Sequence, residues 1–353
     1  MSNSFAAWRR PVLIALLALA LAPATWIRHE LPDPDYGAPV IFARLGVPVP
    51  MAGEVEVLRA WKATSNSDHF GGYSALVATG EGQLIAASDR GRIMQLSLPG
   101  NGSPAARLSY LPGLIKARKQ LFDIESMTRD PASGQVWLGY EGINTVERRD
   151  SRLENARRVR PLQMQDWPDN KGAEAMVRLA DGRFILLAEG STGRARQTFR
   201  GLLFASDPVE DPHQIRAAKE FGFQAPSGYR PVDMAQIPDG RVLILVRRMH
   251  WQVMPRFTAK LVLADPAAIV PGRTWSGRVI AEFAPPLPSD NYEGLALWPR
   301  ADGTLDLWLI SDDNRTGFQS TYLLEMRWNP QTGAPRATDG PPNEKARSRG
   351  RAP

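Results

Sequence analysis

Apolar and polar positions alternate with a period of two along much of this chain, and the alternation breaks at tight, glycine-containing turns. The plainest copy is Lys171 to Gly190, KGAEAMVRLADGRFILLAEG, where two alternating runs flank Asp181-Gly182. That pattern predicts a β-hairpin. Four more segments repeat it: 71 to 89, 122 to 141, 229 to 247 and 291 to 313. Aligned on their first strands, the five copies put Ser74, Glu125, Glu174, Asp233 and Glu293 in one column, with Leu76, Met127, Met176, Ala235 and Leu295 two residues on. A spacing of about 50 to 60 residues marks a structural repeat.

The first four hairpins are each followed by two further strand-like runs: Arg92 to Leu98 and Arg107 to Leu111, Ile143 to Arg149 and Ala156 to Leu162, Gly201 to Ser206 and Ile215 to Phe223, Phe257 to Ala264 and Ser276 to Phe283. Four antiparallel strands per unit predict an all-β fold, a β-propeller of four-stranded blades. The fifth unit has a third strand, Thr321 to Trp328, and then turns polar and proline-rich. Its fourth strand is expected from Glu54 to Trp61, an N-terminal strand that would close the ring and remove its open edges. Five blades follow, with a sixth open if Ile41 to Leu45 nucleates one. The expected divisions are a leader at 1–24, an extended lead-in at 25–53, the propeller at 54–328 and a disordered tail at 329–353.

Composition narrows the chemistry. The 353 residues include no cysteine, which excludes thiolate catalysis and cysteine-ligated metal sites. Four histidines without an H-E-x-x-H, and no G-x-S-x-G, leave zinc hydrolase and serine nucleophile readings without support. His250 and Ser74 or Ser126 carry no sequence-defined catalytic partner. Arg9 and Arg10 ahead of the apolar run Val12 to Leu21 and Ala22-Pro23-Ala24 read as an export signal. A periplasmic or secreted protein is expected, or a membrane-anchored one facing the periplasm if that segment is retained. The formal charge of +6 is modest, and Arg148, Arg149, Arg152, Arg157, Arg158 and Arg160 alternate with acids, so a solvated outer strand pair is expected and a nucleic-acid surface is not. The tryptophans Trp137, Trp298 and Trp308 read as blade packing, whereas Trp251 and Trp275 are pocket candidates.

In a propeller the first strands line a central channel, so Glu125, Glu174, Asp233 and Glu293 would converge. The second strands add Asp89, Glu141 and Glu189, each seven residues after its turn glycine. Arg247 takes that place in the fourth copy, and in the fifth Asp312 comes two residues late, so that a bulge is needed. Such a concentration of carboxylates calls for a compensating cation, and an all-oxygen set suits Ca2+. The competing account pairs the acids with Arg90, Arg178, Lys171, Arg247 and Arg248. Arg90, Arg92, Lys119, Lys171, Arg230, Arg247 and Arg248 near the same rim suggest an anionic small-molecule ligand.

The blocks GGYS at 71 to 74, SDRG at 88 to 91, FDIES at 122 to 126, NYEGL at 291 to 295 and SDDN at 311 to 314 resemble the phytase-like domain, the esterase-like activity of phytase family of exported bacterial proteins. The resemblance spans about residues 54 to 327. It implies an exported propeller and hydrolysis of phosphate esters, although Ser126 stands where the family pattern has glycine. The leading expectation is a monomeric, calcium-assisted phosphomonoester hydrolase. Asp89, Glu125, Glu174, Asp233, Glu293 and Asp312 would hold the metal, Arg90, Arg247 or Arg248 would neutralise the phosphoryl group, and Glu141 or Glu189 would accept a proton. A calcium-dependent lactonase or carboxylic esterase and a noncatalytic periplasmic binding or scaffold propeller are the alternatives.

Overall fold

The computed structural model describes residues 11–17, 36–100, 102–113, 123–168, 171–192, 197–211, 214–251 and 255–331. Most of the leader, Lys119, His213 and the tail beyond Gln331 lie outside the described residues. No described helix is long and apolar enough to cross a membrane.

Five sheets are arranged around one axis, with their inner strands touching in cyclic order. The chain enters through β1 (Val40–Leu45), β2 (Met51–Ala52) and β3 (Val55–Ser65). Blade one is β4 (Tyr73–Gly80), β5 (Gln83–Ser88), β6 (Arg92–Ser97) and β7 (Ala105–Tyr110). Blade two is β8 (Ile124–Arg129), β9 (Val136–Tyr140), β10 (Thr145–Arg149) and β11 (Arg157–Val159). Blade three holds β12 (Ala173–Arg178), β13 (Phe184–Thr192), β14 (Thr198–Phe204) and β15 (Lys219–Gln224). Blade four holds β16 (Arg230–Gln236), β17 (Val242–His250) and β18 (Arg256–Ala264); β19 (Thr274–Ser276) then leaves it to pair in parallel with β15, and β20 (Arg278–Phe283) returns as its outer strand. Blade five is β21 (Asn291–Pro299), β22 (Leu305–Asp312) and β23 (Thr321–Trp328), completed by β3.

Closure is by the N-terminal strand: Ala60 on β3 pairs with Leu324 on β23. The run from Ile41 makes no sixth blade. β1 lies outside β3 in the fifth, with Ile41 opposite Thr64, so the propeller has five blades.

Near-continuous apolar runs such as Val242 to Val246 make both faces of a blade apolar, and neighbouring blades bury them against one another. Between blades one and five, Trp308 stacks on Trp61 and Trp298 at centroid distances of 6.1 and 5.8 Å. Trp275 is packing too and not a pocket wall, because it is buried against Phe221 and Phe223. Trp251 is exposed. The basic run of blade two also differs from expectation. Glu147, Arg148 and Arg149 are buried: Glu147 takes Arg149, Arg158 and the Tyr140 hydroxyl, while Arg148 reaches Asp207 and Glu210. Arg152, Arg157, Arg158 and Arg160 are exposed as expected, so the difference is confined to Arg148 and Arg149, whose charges are answered by acids.

At the hairpin end of the channel a cavity of about 810 Å³ is lined by Leu76, Met127, Val177, Met234 and Leu295 among others. The carboxylates gather at the other end, where the inner strands begin.

Candidate functional site

Each inner strand carries a bulge near its start. The ladder skips Ser74 in blade one, Glu125 in blade two, Glu174 in blade three and Glu293 in blade five. A bulged residue leaves the pairing and its side chain is re-aimed. In blade four the skipped residue is Val232, and Asp233 pairs with Leu245 just as Ala175 pairs with Leu187. Asp233 therefore stands one step off the column, and one step in a strand changes the face. Its buried carboxylate accepts N–H bonds from Leu295 at 2.6 Å and Met234 at 2.8 Å, and from Leu76. Burial pushes its pKa well up, against those three donors. The group ties blade four to blades five and one.

The second-strand ends arrive at the same rim. Asp89, Glu141 and Glu189 donate their N–H groups to the carbonyls of Gly72, Asp123 and Gly172, the residues that open the adjacent inner strands. Arg247 faces Arg230, and Asp312 faces Asn291. Asp312 reaches this place without a bulge in β22, because the fifth hairpin runs further from rim to turn and the skip between its strands falls on β21.

Two overlapping carboxylate triads result. Oxygens of Asp123, Glu125 and Glu141 lie within 4.8 Å of one another, and so do those of Glu141, Glu174 and Glu189. Glu141 belongs to both. Burial raises the Glu125 carboxyl well above its usual range, helped by Glu174, Glu293, Asp123 and Glu141. Glu174 is raised well by burial, then by Glu189, Glu141 and Glu293, against the pull of Arg247. Five converging oxygen-donor side chains, two of them with carboxyls raised by burial, fit a hard cation.

Glu293 is held differently. Arg247 approaches it at 3.0 Å, the Asn291 amide donates to it at 2.7 Å, and the Arg247 guanidinium also donates to Asn291 at 2.7 Å. Burial raises the Glu293 carboxyl, while Arg247 and Asn291 pull it down. Burial alone would lower the Arg247 pKa, but Glu293, Glu174, Glu189 and Glu125 reverse that. Glu189 carries Arg230 on one oxygen, with Arg247 at 3.7 Å. The cation and ion-pair accounts thus divide the rim: blades two and three gather acids, and Arg247 neutralises the side facing blades four and five. Asp312 is buried beside Glu293 and Asp89 and raised well, burial being the larger cause.

The other basic candidates separate as well. Arg90 lies beside Asp89 at 3.8 Å and is partly exposed. Arg248 points away from Arg247 by strand alternation and lies along Gly228. Lys171 is exposed and lies over Gly190, and Arg178 pairs with Asp130 at 3.4 Å near the hairpin end. His250 bonds Thr258. Sequence reasoning passed over Asp123 and Gly172. Asp123 was legible as the first acid of D-I-E, but it precedes the strand and so fell outside the aligned column.

A five-bladed propeller whose rim concentrates carboxylates around a half-buried arginine defines the class of this protein. The phytase-like family model, described as esterase-like activity of phytase, matches residues 68–315, and the chain belongs to that family. A comparison with curated proteins finds no match. Among solved structures, the chain is similar to PQQ-bound aldose sugar dehydrogenase of Streptomyces coelicolor, with 13% identity over 79% of this chain and 99% of that one and a TM-score of 0.43. It is also similar to the WD40 β-propeller domain of Doa1, with 10% identity over 80% and 99% and a TM-score of 0.38. Likenesses this distant carry no functional argument.

Proposed function

We propose that the protein is an exported, cation-assisted hydrolase of phosphate monoesters, with calcium held by Glu125, Glu141, Glu174 and Asp123. The observation that carries this reading is the pair of carboxylate triads sharing Glu141. A bound cation there would orient substrate oxygens and lower the pKa of an attacking water. Glu141 would fix the two halves of the cluster relative to one another, and Arg247 would hold Glu293 and Glu189 in place without competing for the cation. Arg90, partly exposed at the rim, suits a substrate oxyanion better than Arg247, whose terminal nitrogens already face Asn291, Glu293 and Glu189, or Arg248, which faces elsewhere. Glu189 suits proton acceptance less well, because Arg230 and Arg247 both lie against its Oε1.

The esterase-like description of the family supports a second reading, in which the same acids serve a carboxylic ester or lactone. Phosphate release from a phosphomonoester panel including phytate, after chelation and after calcium is restored, tests the first reading. Calcium-restored turnover that is lost in Glu174→Gln is expected. Acid release from lactones or carboxylic esters without phosphate release would replace it with the second, and thermal stabilisation by calcium without turnover on any of these would leave a binding propeller.

A further inference from the structure

Beside the acidic rim, on the side of blades one and five, lies a group of arginines that the carboxylate clusters do not use. Arg92 opens β6 and is 1% exposed, yet among the described residues neither Nη1 nor Nη2 has a hydrogen-bond partner. Its Nε alone is engaged, donating to the Tyr110 hydroxyl at 3.3 Å. A buried guanidinium with both terminal nitrogens unanswered is costly, because its lost hydration is not made good by charge-assisted bonds. Such a group calls for an anion.

Two more guanidinium groups lie nearby. Arg90 stands two residues before Arg92, their N–H groups sharing the Ser88 hydroxyl, and Arg315, exposed in the turn after β22, is close enough to both that their like charges oppose its own. Two acids are near, and neither answers Arg92. Asp313 is occupied by the N–H groups of Gly72 and Arg315 and by the Thr321 hydroxyl, and Asp89 lies beside Arg90. The backbone holds the arrangement in place: the Ser88 hydroxyl accepts the Arg92 N–H at 3.1 Å, and Arg315 donates to the Asp68 carbonyl at 2.7 Å. Arg92 is the buried member of the group, Arg90 is partly exposed and Arg315 is exposed.

We propose that Arg92, Arg90 and Arg315 form an anion-binding pocket between blades one and five that takes a phosphate group. Planar forks suit tetrahedral oxyanions, and three cations against two partly satisfied acids favour a dianion over a carboxylate. The pocket needs no cation and no turnover, so it stands apart from the hydrolase reading even where both act on one molecule.

The test is calorimetric and thermal-shift titration of the full chain in chelator with inorganic phosphate, glycerol 2-phosphate and acetate. Wild type and Glu174→Gln should bind phosphate alike, with acetate weaker. Arg315→Ala should weaken phosphate by about tenfold, the loss of one charge-assisted contact, and Arg92→Met should weaken it further. Arg315 is at the surface, so its variant keeps the test meaningful if Arg92→Met does not fold. Glycerol 2-phosphate binding with the same Arg315 dependence supports a phosphate carried on a larger molecule, and inorganic phosphate alone supports the free ion. Absence of binding by both phosphate probes, binding indifferent to Arg315, or binding that requires calcium and vanishes in Glu174→Gln overturns the proposal. Phosphate hydrolysis is not measured in this experiment, so failure of the hydrolase reading leaves its outcome intact.

Discussion

The backbone N–H of Gly172 points at Oε1 of Glu141, 3.4 Å away, and a Cβ at position 172 would fall 2.7 Å from the Glu141 Cα. The carbonyl of the same glycine accepts the N–H groups of Glu174 and Glu189. One residue with no side chain thus sets the spacing of three carboxylates from two blades. The requirement is for close approach and not for an unusual backbone angle.

Gly172→Ala should therefore loosen the second triad without touching an acid. Pushing blades two and three apart is expected to cost about 1 to 3 kcal/mol of stability, and displaced ligands weaken cation affinity by about tenfold or more. Calcium-dependent thermal shift, compared with Gly190→Ala, whose added Cβ would meet only the flexible Lys171 side chain, is the measurement. Equal calcium responses in the two variants would show that Gly172 does not organise the cluster.

Glu141→Gln and Glu293→Gln should behave oppositely. Glu141 is common to both triads, and its neutral replacement should remove most of the calcium-induced stabilisation. Glu293 is bound to Arg247 and Asn291, so its replacement should cost about 1 to 3 kcal/mol in chelator while leaving the calcium response largely intact. Titrating each variant with calcium by calorimetry separates the two. Loss of calcium binding in Glu293→Gln would place that residue in the cation site.

The fold was legible because period-two alternation, glycine turns and the repeat length all describe the same blade. The second column was legible too, in Asp89, Glu141 and Glu189, because it is counted from a turn whose length is constant in those blades. Asp233 shows where the reading slipped. Matching carboxylate to carboxylate pulled PVDMA one residue out of register, whereas the bulge places Val232 with Glu174. Bulges depend on how two strands meet, and nothing local in the sequence marks them. The division of the rim between Arg247 and the triads was equally hidden, since it rests on contacts between strands more than 40 residues apart.

Asp233→Ala follows from that correction. It removes a buried acceptor from the N–H groups of Met234, Leu295 and Leu76, and a loss of about 3 kcal/mol or more is expected. Asp233→Asn, which keeps one carbonyl acceptor, should recover part of it. Chemical denaturation gives the stabilities, and calcium affinity of the folded fraction should match wild type. A weakened affinity with unchanged stability would return Asp233 to the cation site.

Acid at the rim should stabilise the chelated protein. The pKa values of Glu125, Glu174, Glu293 and Asp312 are all raised by folding, burial being the largest cause in each. A carboxyl raised in the folded state holds its proton there at a pH where the unfolded chain has released it. Its contribution to stability is thus complete below the unfolded value of about 4 to 4.5, and it is lost as pH rises through the higher folded value. In chelator the melting temperature should fall as pH rises from the unfolded value through the higher folded ones. Calcium competes with those protons, so its stabilising effect should grow over the same interval. Melting temperatures across that range, with and without calcium, test both slopes. In Glu125→Gln/Glu174→Gln the chelated slope should flatten and the calcium effect should be small at every pH, whereas a calcium effect that shrinks as pH rises would show that protons and cation do not share these carboxylates.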